Sequence, residues 1–370
     1  MNRPETKLCQ LIDRLTLRSV SFALYRLPWT DEPILVLQKS GEVETFESLS
    51  ELNGKRGFVL TSFGHSRPGV LIRPDNVARD WEQIGEVLAE LPELEASEPE
   101  EGEKSVYADG ISNQQRYAEA FHRFIEPLQQ GRFKKLVLSR CEEHELADGF
   151  SLLTAFVNAC NNYPRMMISL THTPVTGTWL GCTPEIILSG QENQWHTVSL
   201  AGTMPMNGET MPEDWSVKNK EEQAFVSEYI RKTIKKFGTK LTENGPYTAR
   251  AGQLVHLKTD FHFCLKNTER LGDILNELHP TPAVCGLPKQ ETYDFILSNE
   301  GYDRGYYAGV IGWIDPQEHT TLYVNLRCMH VNGRTAQLYA GGGILASSTL
   351  ETEWDETLHK MDTMKRIITL

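Results

Sequence analysis

Residues 166–200 read MMISLTHTPVTGTWLGCTPEIILSGQENQWHTVSL. Four apolar, β-branched runs follow one another there: Met166–Leu170, Thr178–Gly181, Glu185–Leu188 and Trp195–Leu200. Only turn residues separate them, so no helix can cross over between parallel strands, and the runs predict antiparallel neighbours. Working outward, KKLVLSR ending at Arg140, Leu254–Leu265, Tyr306–Trp313, Thr321–His330 and Thr335–Tyr339 also read as strands. Helical spacing marks Tyr117, Phe121, Phe124 and Leu128, stopped by Gly131, and the segments Leu152–Cys160, Val217–Lys236, Gly272–Leu278, Gln290–Asn299 and Leu350–Ile367. Strands in runs, with helices between the runs, predict an α+β fold with large antiparallel β-sheets flanked by helices.

Residues 1–104 form a variable N-terminal part, integrated into the same fold, and residues 105–370 a core. Short strands are predicted before residue 85, as at Pro33–Leu37 and Gly57–Thr61. From Glu86 to Lys104 the composition turns acidic (EVLAELPELEASEPEEGEK); it finishes a helix and then reads as a solvated loop. The 370 residues carry a net charge of -13, which argues against a nucleic-acid partner because phosphate binding needs clustered cations. No stretch approaches a membrane span, and the seven cysteines lack a CxxC pair. A cytoplasmic protein with reduced thiols is the expectation.

Several residues stand where chemistry is possible. In the last helix Glu353, Glu356 and Lys360 share a face, apart from an apolar stripe of Trp354, Leu358 and Met361. That face reads either as solvated ion pairs or as a ligand site, because Gly341–Gly343 precede it and allow close backbone approach and anion-binding N–H groups. Glu221 and Glu222 are placed in the first turn of the Val217 helix, where the helix dipole alone would justify them. Together with Glu356 they offer hard oxygen ligands of the kind magnesium takes. Lys135 is either an exposed charge or, in an apolar pocket, a general base; Glu185 in GCTPE is a possible matching acid. The pairs His262/Cys264 and Cys328/His330 lack a second half with zinc spacing and read as packing. No P-loop or GxGxxG is present. Ser139 and Ser199 lie outside any nucleophile elbow.

Taken in order, KLVLSR (135–140), GCTPE (181–185), LAGT (200–203), KNKEEQAFV (218–226), HPTPAVCGLP (279–288), DRGYYAG (303–309), LR (326–327) and AGGGI with EWDETLHK (353–360) resemble the chorismate-utilising enzymes. These are the isochorismate, salicylate, anthranilate and aminodeoxychorismate synthases. The resemblance covers Ser112 to the C-terminus. It implies that Lys135 activates water, that Glu185 protonates the leaving hydroxyl, and that Glu222 and Glu356 hold Mg2+ with Glu353 assisting through water. It further implies that Arg327 and Lys360 grip substrate carboxylates beside Gly341, Gly342 and Gly343, that Gly202 and Thr203 line the pocket, and that His279 lies near the ring. Amine-adding members usually carry glutamine at the place of Lys135, and pyruvate-eliminating ones threonine at the place of Ala283. The implied activity is therefore a magnesium-dependent, reversible isochorismate synthase feeding menaquinone, with a salicylate synthase or a siderophore-pathway enzyme as alternatives. A monomer acting on chorismate without a glutaminase subunit follows from the same resemblance. The chain departs from the family pattern at Gln223, Cys285 and Gly342.

Overall fold

The computed structural model describes residues 6–16, 20–39, 41–64, 66–91, 111–206 and 208–369. The boundary at residue 104 and the acidic loop from residue 92 fall outside them. Among the described residues, two nine-stranded sheets make up the fold, and every strand pairing is antiparallel. Lys135–Glu145, Thr335–Ile344, Cys328–Asn332, Gly177–Thr183 and Met167–Thr173 lie side by side in the first sheet. Leu254–Leu265, Gln194–Pro205, Ile186–Gln191, Thr320–Val324 and Val310–Ile314 form the middle of the second. Strands from the first eighty residues extend both: Ser21–Arg26, Ile34–Gln38 and Asn76–Arg79 the first sheet, Gly57–Leu60, Gly69–Ile72 and Glu44–Phe46 the second.

Strand periodicity explains how one sheet serves two cores. Along Ser21–Arg26 and Ile34–Gln38, Ala23, Tyr25, Ile34 and Val36 point into the larger core that joins the two sheets. Their neighbours Phe22, Leu24, Leu35 and Leu37 point the other way, under the helices Thr6–Leu15, Asp80–Ala89 and Leu152–Asn162. The helices Asn113–Gln129, Val217–Phe237, Leu271–Leu278 and Lys289–Asn299 bury their apolar stripes in the larger core, with Phe124, Ile230, Leu275 and Ile296 at its centre. No helix among the described residues is long and apolar enough to cross a membrane.

The four runs of residues 166–200 are strands, slightly longer than their apolar cores: Met167–Thr173, Gly177–Thr183, Ile186–Gln191 and Gln194–Pro205. They do not share one sheet. The chain leaves the first sheet after Thr183, turns through Pro184 and Glu185, and enters the second at Ile186. Thr321–His330, expected as one strand, is two: Thr320–Val324 in the second sheet and Cys328–Asn332 in the first. The break is conformational, since Arg327 has φ 46°, which no strand residue adopts. The two crossings are tied together. Val324 N–H donates to the Glu185 carbonyl at 2.9 Å, and Cys182 N–H to the Arg327 carbonyl at 3.0 Å. Tyr306–Trp313 likewise begins as a turn, with Ala308 at φ 64°, and becomes a strand only at Val310. The edge strand Gly238–Ala251 was not expected: its exposed, polar sequence and its Asn-Gly-Pro triplet look like a loop.

A buried ion pair holds the Lys135 strand in place. Arg304 and Glu300 are 3% and 6% exposed and bond in bidentate fashion at 2.6 and 2.7 Å. Arg304 also donates to the Val137 and Val284 carbonyls, while Glu300 accepts from the Ser139 amide and hydroxyl. Arg304→Met leaves Glu300 buried without its cation, so denaturant unfolding should show a loss of about 3–5 kcal/mol.

Candidate active site

The two crossings deliver side chains to one cavity. Its wall includes Glu185 from the first crossing, Arg327 from the second, Gly202 and Thr203 from the Gln194 strand, and Glu222. Ala283, His256, Tyr307, Tyr339, Gly341–Gly343 and Lys360 also line it. Gly202 sits in a bulge of its strand with φ 69°, a conformation open to glycine at little cost. Gly341–Gly343, which follow the expected strand Thr335–Tyr339, belong to that strand. They end the strand Thr335–Ile344, laddered to Ser139, Leu138 and Val137 on one edge. Their other edge carries no strand partner among the described residues, because Cys328–Asn332 pairs only with residues 335–338.

Lys135, unlike exposed Lys134, is fully buried, with Nζ 3.0 Å from Glu222 Oε1. The two groups touch without the alignment of a hydrogen bond, which leaves the Lys135 nitrogen without a hydrogen-bond partner. Glu222 itself lies in the second turn of its helix, which starts at Val217 behind the Ser216 cap. The helix dipole therefore does not account for it; only its neighbour Glu221 faces solvent. Glu185 is 4% exposed and receives one long hydrogen bond, from Thr281 at 3.5 Å. Burial pushes its carboxyl up to about 7, against the pull of Lys135 and Lys360.

Arg327 is 6% exposed and has no carboxylate partner among the described residues. Its guanidinium donates to the Ala251 carbonyl at 2.9 Å and to His256 Nε2. His256 Nδ1 faces the Gly202 carbonyl at 2.9 Å, so that nitrogen carries the proton and Nε2 accepts. Burial, then the charges of Arg327 and Lys360, hold this imidazole well below its ordinary range and keep it neutral. A buried guanidinium bonded only to neutral acceptors is a site awaiting an anion. Lys360 stands nearby, bonded to the Gly341 carbonyl at 2.7 Å and Glu356 at 2.8 Å.

The final helix, Leu350–Ile368, docks through the face expected to be charged. Glu353 and Thr357 are buried along with Met361 and Met364, while Trp354 and Leu358 are only half-buried. Glu353, Glu356 and Glu222 converge on the glycine strand. A Cβ on Gly342 would lie 3.1 Å from Glu356 Oε1 and 3.5 Å from Glu353 Oε2, and one on Gly343 2.2 Å from Glu222 Oε1. Glu353 Oε1 receives Lys218 at 2.5 Å, whereas Oε2 is buried with no hydrogen-bond partner. Burial and the charge of Glu356 raise the Glu353 carboxyl. Burial opposes the charge of Glu356 too, but Lys360 and Lys218 hold its carboxyl low. Among the described residues no three His, Cys, Asp or Glu side chains form a ready-made metal cage. Magnesium does not require one: it takes one or two carboxylates and completes its shell with water and substrate oxygens. Convergent carboxylates with one orphaned oxygen fit such an ion.

The structure therefore gathers Glu185, Gly202, Thr203, Glu222, Ala283, Arg327, the glycines and Lys360 on one wall, with Lys135, Glu353 and Glu356 in contact behind them. His279 is elsewhere. It lines a separate cavity of about 250 Å³ with Phe63, Lys289 and Tyr293, and both ring nitrogens are buried without partners. Burial pushes it down to about 3, so it is a neutral imidazole. Its loop neighbour Thr281 reaches Glu185 instead. Sequence reading gave no role to His256, Thr281, Tyr307, Tyr339 or Lys218, although Thr281, Tyr307 and Lys218 lie inside the quoted motifs. The histidines of the His and Cys pairs on strands pack against rings: His330 lies tilted against Trp179 at 5.0 Å, and His262 stacks on His196 at 4.7 Å. Gln223 is buried and anchors its helix to Ser199 and Thr259.

The chain is 28% identical over 252 residues to the salicylate biosynthesis isochorismate synthase of Pseudomonas aeruginosa, covering 66% of this chain and 52% of that protein. It is 31% identical over 198 residues to isochorismate synthase DhbC of Bacillus subtilis, covering 51% of this chain and 50% of that protein. It thus spans about half the length of these relatives. The structure of MenF, the menaquinone-specific isochorismate synthase of Escherichia coli, superposes with a TM-score of 0.75 at 21% identity. That match covers 99% of this chain and 92% of MenF and establishes the shared fold. A family model described as chorismate binding enzyme matches residues 70–369, and the chain belongs to that family.

Proposed function

We propose that the protein is a magnesium-dependent isochorismate synthase that interconverts chorismate and isochorismate. The observation that carries this reading is the pairing, on one cavity, of a carboxyl held near neutrality with a buried guanidinium that lacks a counter-anion. Arg327 and Lys360 hold the two substrate carboxylates, and the free edge of Gly341–Gly343 lets the ring lie against backbone. Lys135 takes a proton from the water that adds at C2. Glu185 gives its proton to the C4 hydroxyl, which leaves as water while the double bonds shift. Acid and base each typically contribute 10²–10⁴-fold. Glu222 and Glu356 would hold the magnesium, with Glu353 reaching it through water; the ion supplies a template and charge neutralisation.

Incubation with chorismate and magnesium, followed by chromatography, tests the assignment. Isochorismate in a mixture with chorismate is the expected result. Stoichiometric pyruvate with salicylate would reassign the protein as a salicylate synthase, and anthranilate formed with ammonia as an amine-adding enzyme. Exhaustive chelation should abolish turnover and added magnesium restore it; full activity of the chelated protein would remove the metal from the proposal. The same reading has the enzyme working as a cytoplasmic monomer without a glutaminase subunit, its product feeding menaquinone. Loss of menaquinone on gene deletion tests that last step, and loss of a siderophore would redirect it.

A further inference from the structure

His279 is a buried side chain that the mechanism leaves unused. Only 8% of it is exposed, and neither ring nitrogen has a hydrogen-bond partner. A buried polar group left unsatisfied costs about 1–3 kcal/mol, so its persistence points to a partner that comes from outside the chain. The cavity of about 250 Å³ that the ring borders has the place for one. It shares no lining residue with the catalytic pocket.

Most of its wall is apolar. Phe46, Leu49, Phe63, Pro280 and Tyr293 line it, and all five are buried. The Phe63 and Tyr293 rings lie 5.4 Å apart, and the Tyr293 hydroxyl donates to the Phe63 carbonyl at 3.2 Å. The Arg304 guanidinium stands 4.1 Å over the Phe63 ring, so this wall is fixed before anything binds. Water is a poor filling for it, because the rings offer no hydrogen bonds. An apolar cavity of about 150 Å³ takes one benzene, so the larger volume here admits a ring that bears a polar group.

Lys289 decides what that group is. Its Nζ donates only to backbone carbonyls: Glu277 at 2.8 Å, His279 at 2.6 Å and, over a long 3.4 Å, Asn276. Glu277, the acid whose charge acts on it, is paired with Lys236. Burial pulls the Lys289 ammonium down to about 8, which leaves it a cation short of a counter-charge. Of the other charges on the lining, Arg67 is paired with Asp303 at 3.1 Å and Glu47 lies exposed. Beside the ammonium, the neutral His279 ring offers one N–H.

We propose that this cavity is a second ligand site, which takes a small aromatic carboxylate with its ring against Phe46, Phe63 and Tyr293 and its carboxylate between Lys289 and His279. The site stands apart from the reaction assigned above and does not depend on it.

Titration of the full-length protein with para-fluorobenzoate, followed by fluorine NMR, tests the proposal. The catalytic pocket is itself built for carboxylates, so the titration is made in Arg327→Met, where that competing site is disabled. Saturable binding should remain there. Adding His279→Phe, which keeps a ring and removes both nitrogens, should weaken the probe at least about tenfold, and adding Lys289→Met at least about fivefold. Uncharged para-fluorobenzyl alcohol should bind at least about tenfold more weakly than the carboxylate. Binding that vanishes with Arg327 overturns the proposal, as does binding that His279→Phe and Lys289→Met leave unchanged. Where a variant fails to fold by circular dichroism, wild-type crystals soaked with para-bromobenzoate decide. Bromine between Phe46 and Tyr293 supports the site; bromine confined to the catalytic pocket, or none, overturns it.

Discussion

Gly343→Ala should lower turnover by at least about 10²-fold, whereas Gly342→Ala, one residue earlier, should stay within a few-fold of wild type. Backbone strain is not the cause, since neither glycine lies in the left-handed region. Space is. A Cβ on Gly343 would stand 2.2 Å from Glu222 Oε1, 2.8 Å from its Cδ and 2.9 Å from Lys135 Cε. No real contact is that short, so Glu222 must swing away and take with it both the partner of Lys135 and the proposed metal ligand. A Cβ on Gly342 meets the tip of Glu356 at 3.1 Å, which a shift of a few tenths of an ångström relieves. Steady-state rates with chorismate, with circular dichroism as a folding control, check both. Equal activity of the two variants would show that the glycine strand does not position the base.

Glu185→Gln and Lys135→Ala should each remove at least about 10²-fold of rate. For Glu185 the pH dependence adds a second mark. Its carboxyl is pushed up to about 7, so the proton it must donate is present below that pH and lost above it. Turnover should fall as pH rises through about 7. Stability follows the same sign. A carboxyl whose folded value lies above its unfolded one favours folding in its protonated form, and that contribution is lost as pH rises through about 7. Glutamine carries no such liability, so above pH 7 the Glu185→Gln protein should melt at a higher temperature than wild type while being nearly inactive. A variant both active and more stable would strip Glu185 of its catalytic role. Lys135→Ala differs, because it leaves Glu222 buried without its partner, and both stability and rate should drop.

The strand runs of residues 166–200 were legible because their β-branched residues are buried on both faces of the sheets. What could not be read was where the chain changes sheet. Thr320–Val324 and Cys328–Asn332 have one continuous apolar pattern, and only the tertiary position of Arg327 breaks it. The polar edge strand Gly238–Ala251 carries no periodicity, since it has little to bury. Glu222 and Glu353 were found through order along the chain; their local surroundings looked like ordinary charged helix faces. His279 shows the limit of that route. Its motif is intact, yet the loop turns its ring into a neighbouring cavity.

The steps between sheets have a consequence for dissection of the molecule. Gly177–Thr183 lies in the first sheet and the next strand, Ile186–Gln191, in the second; Thr320–Val324 and Cys328–Asn332 do the reverse. The two layers are interwoven, and no uninterrupted stretch of sequence contains either one whole without strands of the other. Glu185 and Arg327 sit on the threads that pass between the layers. Splitting the gene anywhere in this weave should therefore yield pieces that fold only on recombination, and heating should melt both layers in a single transition.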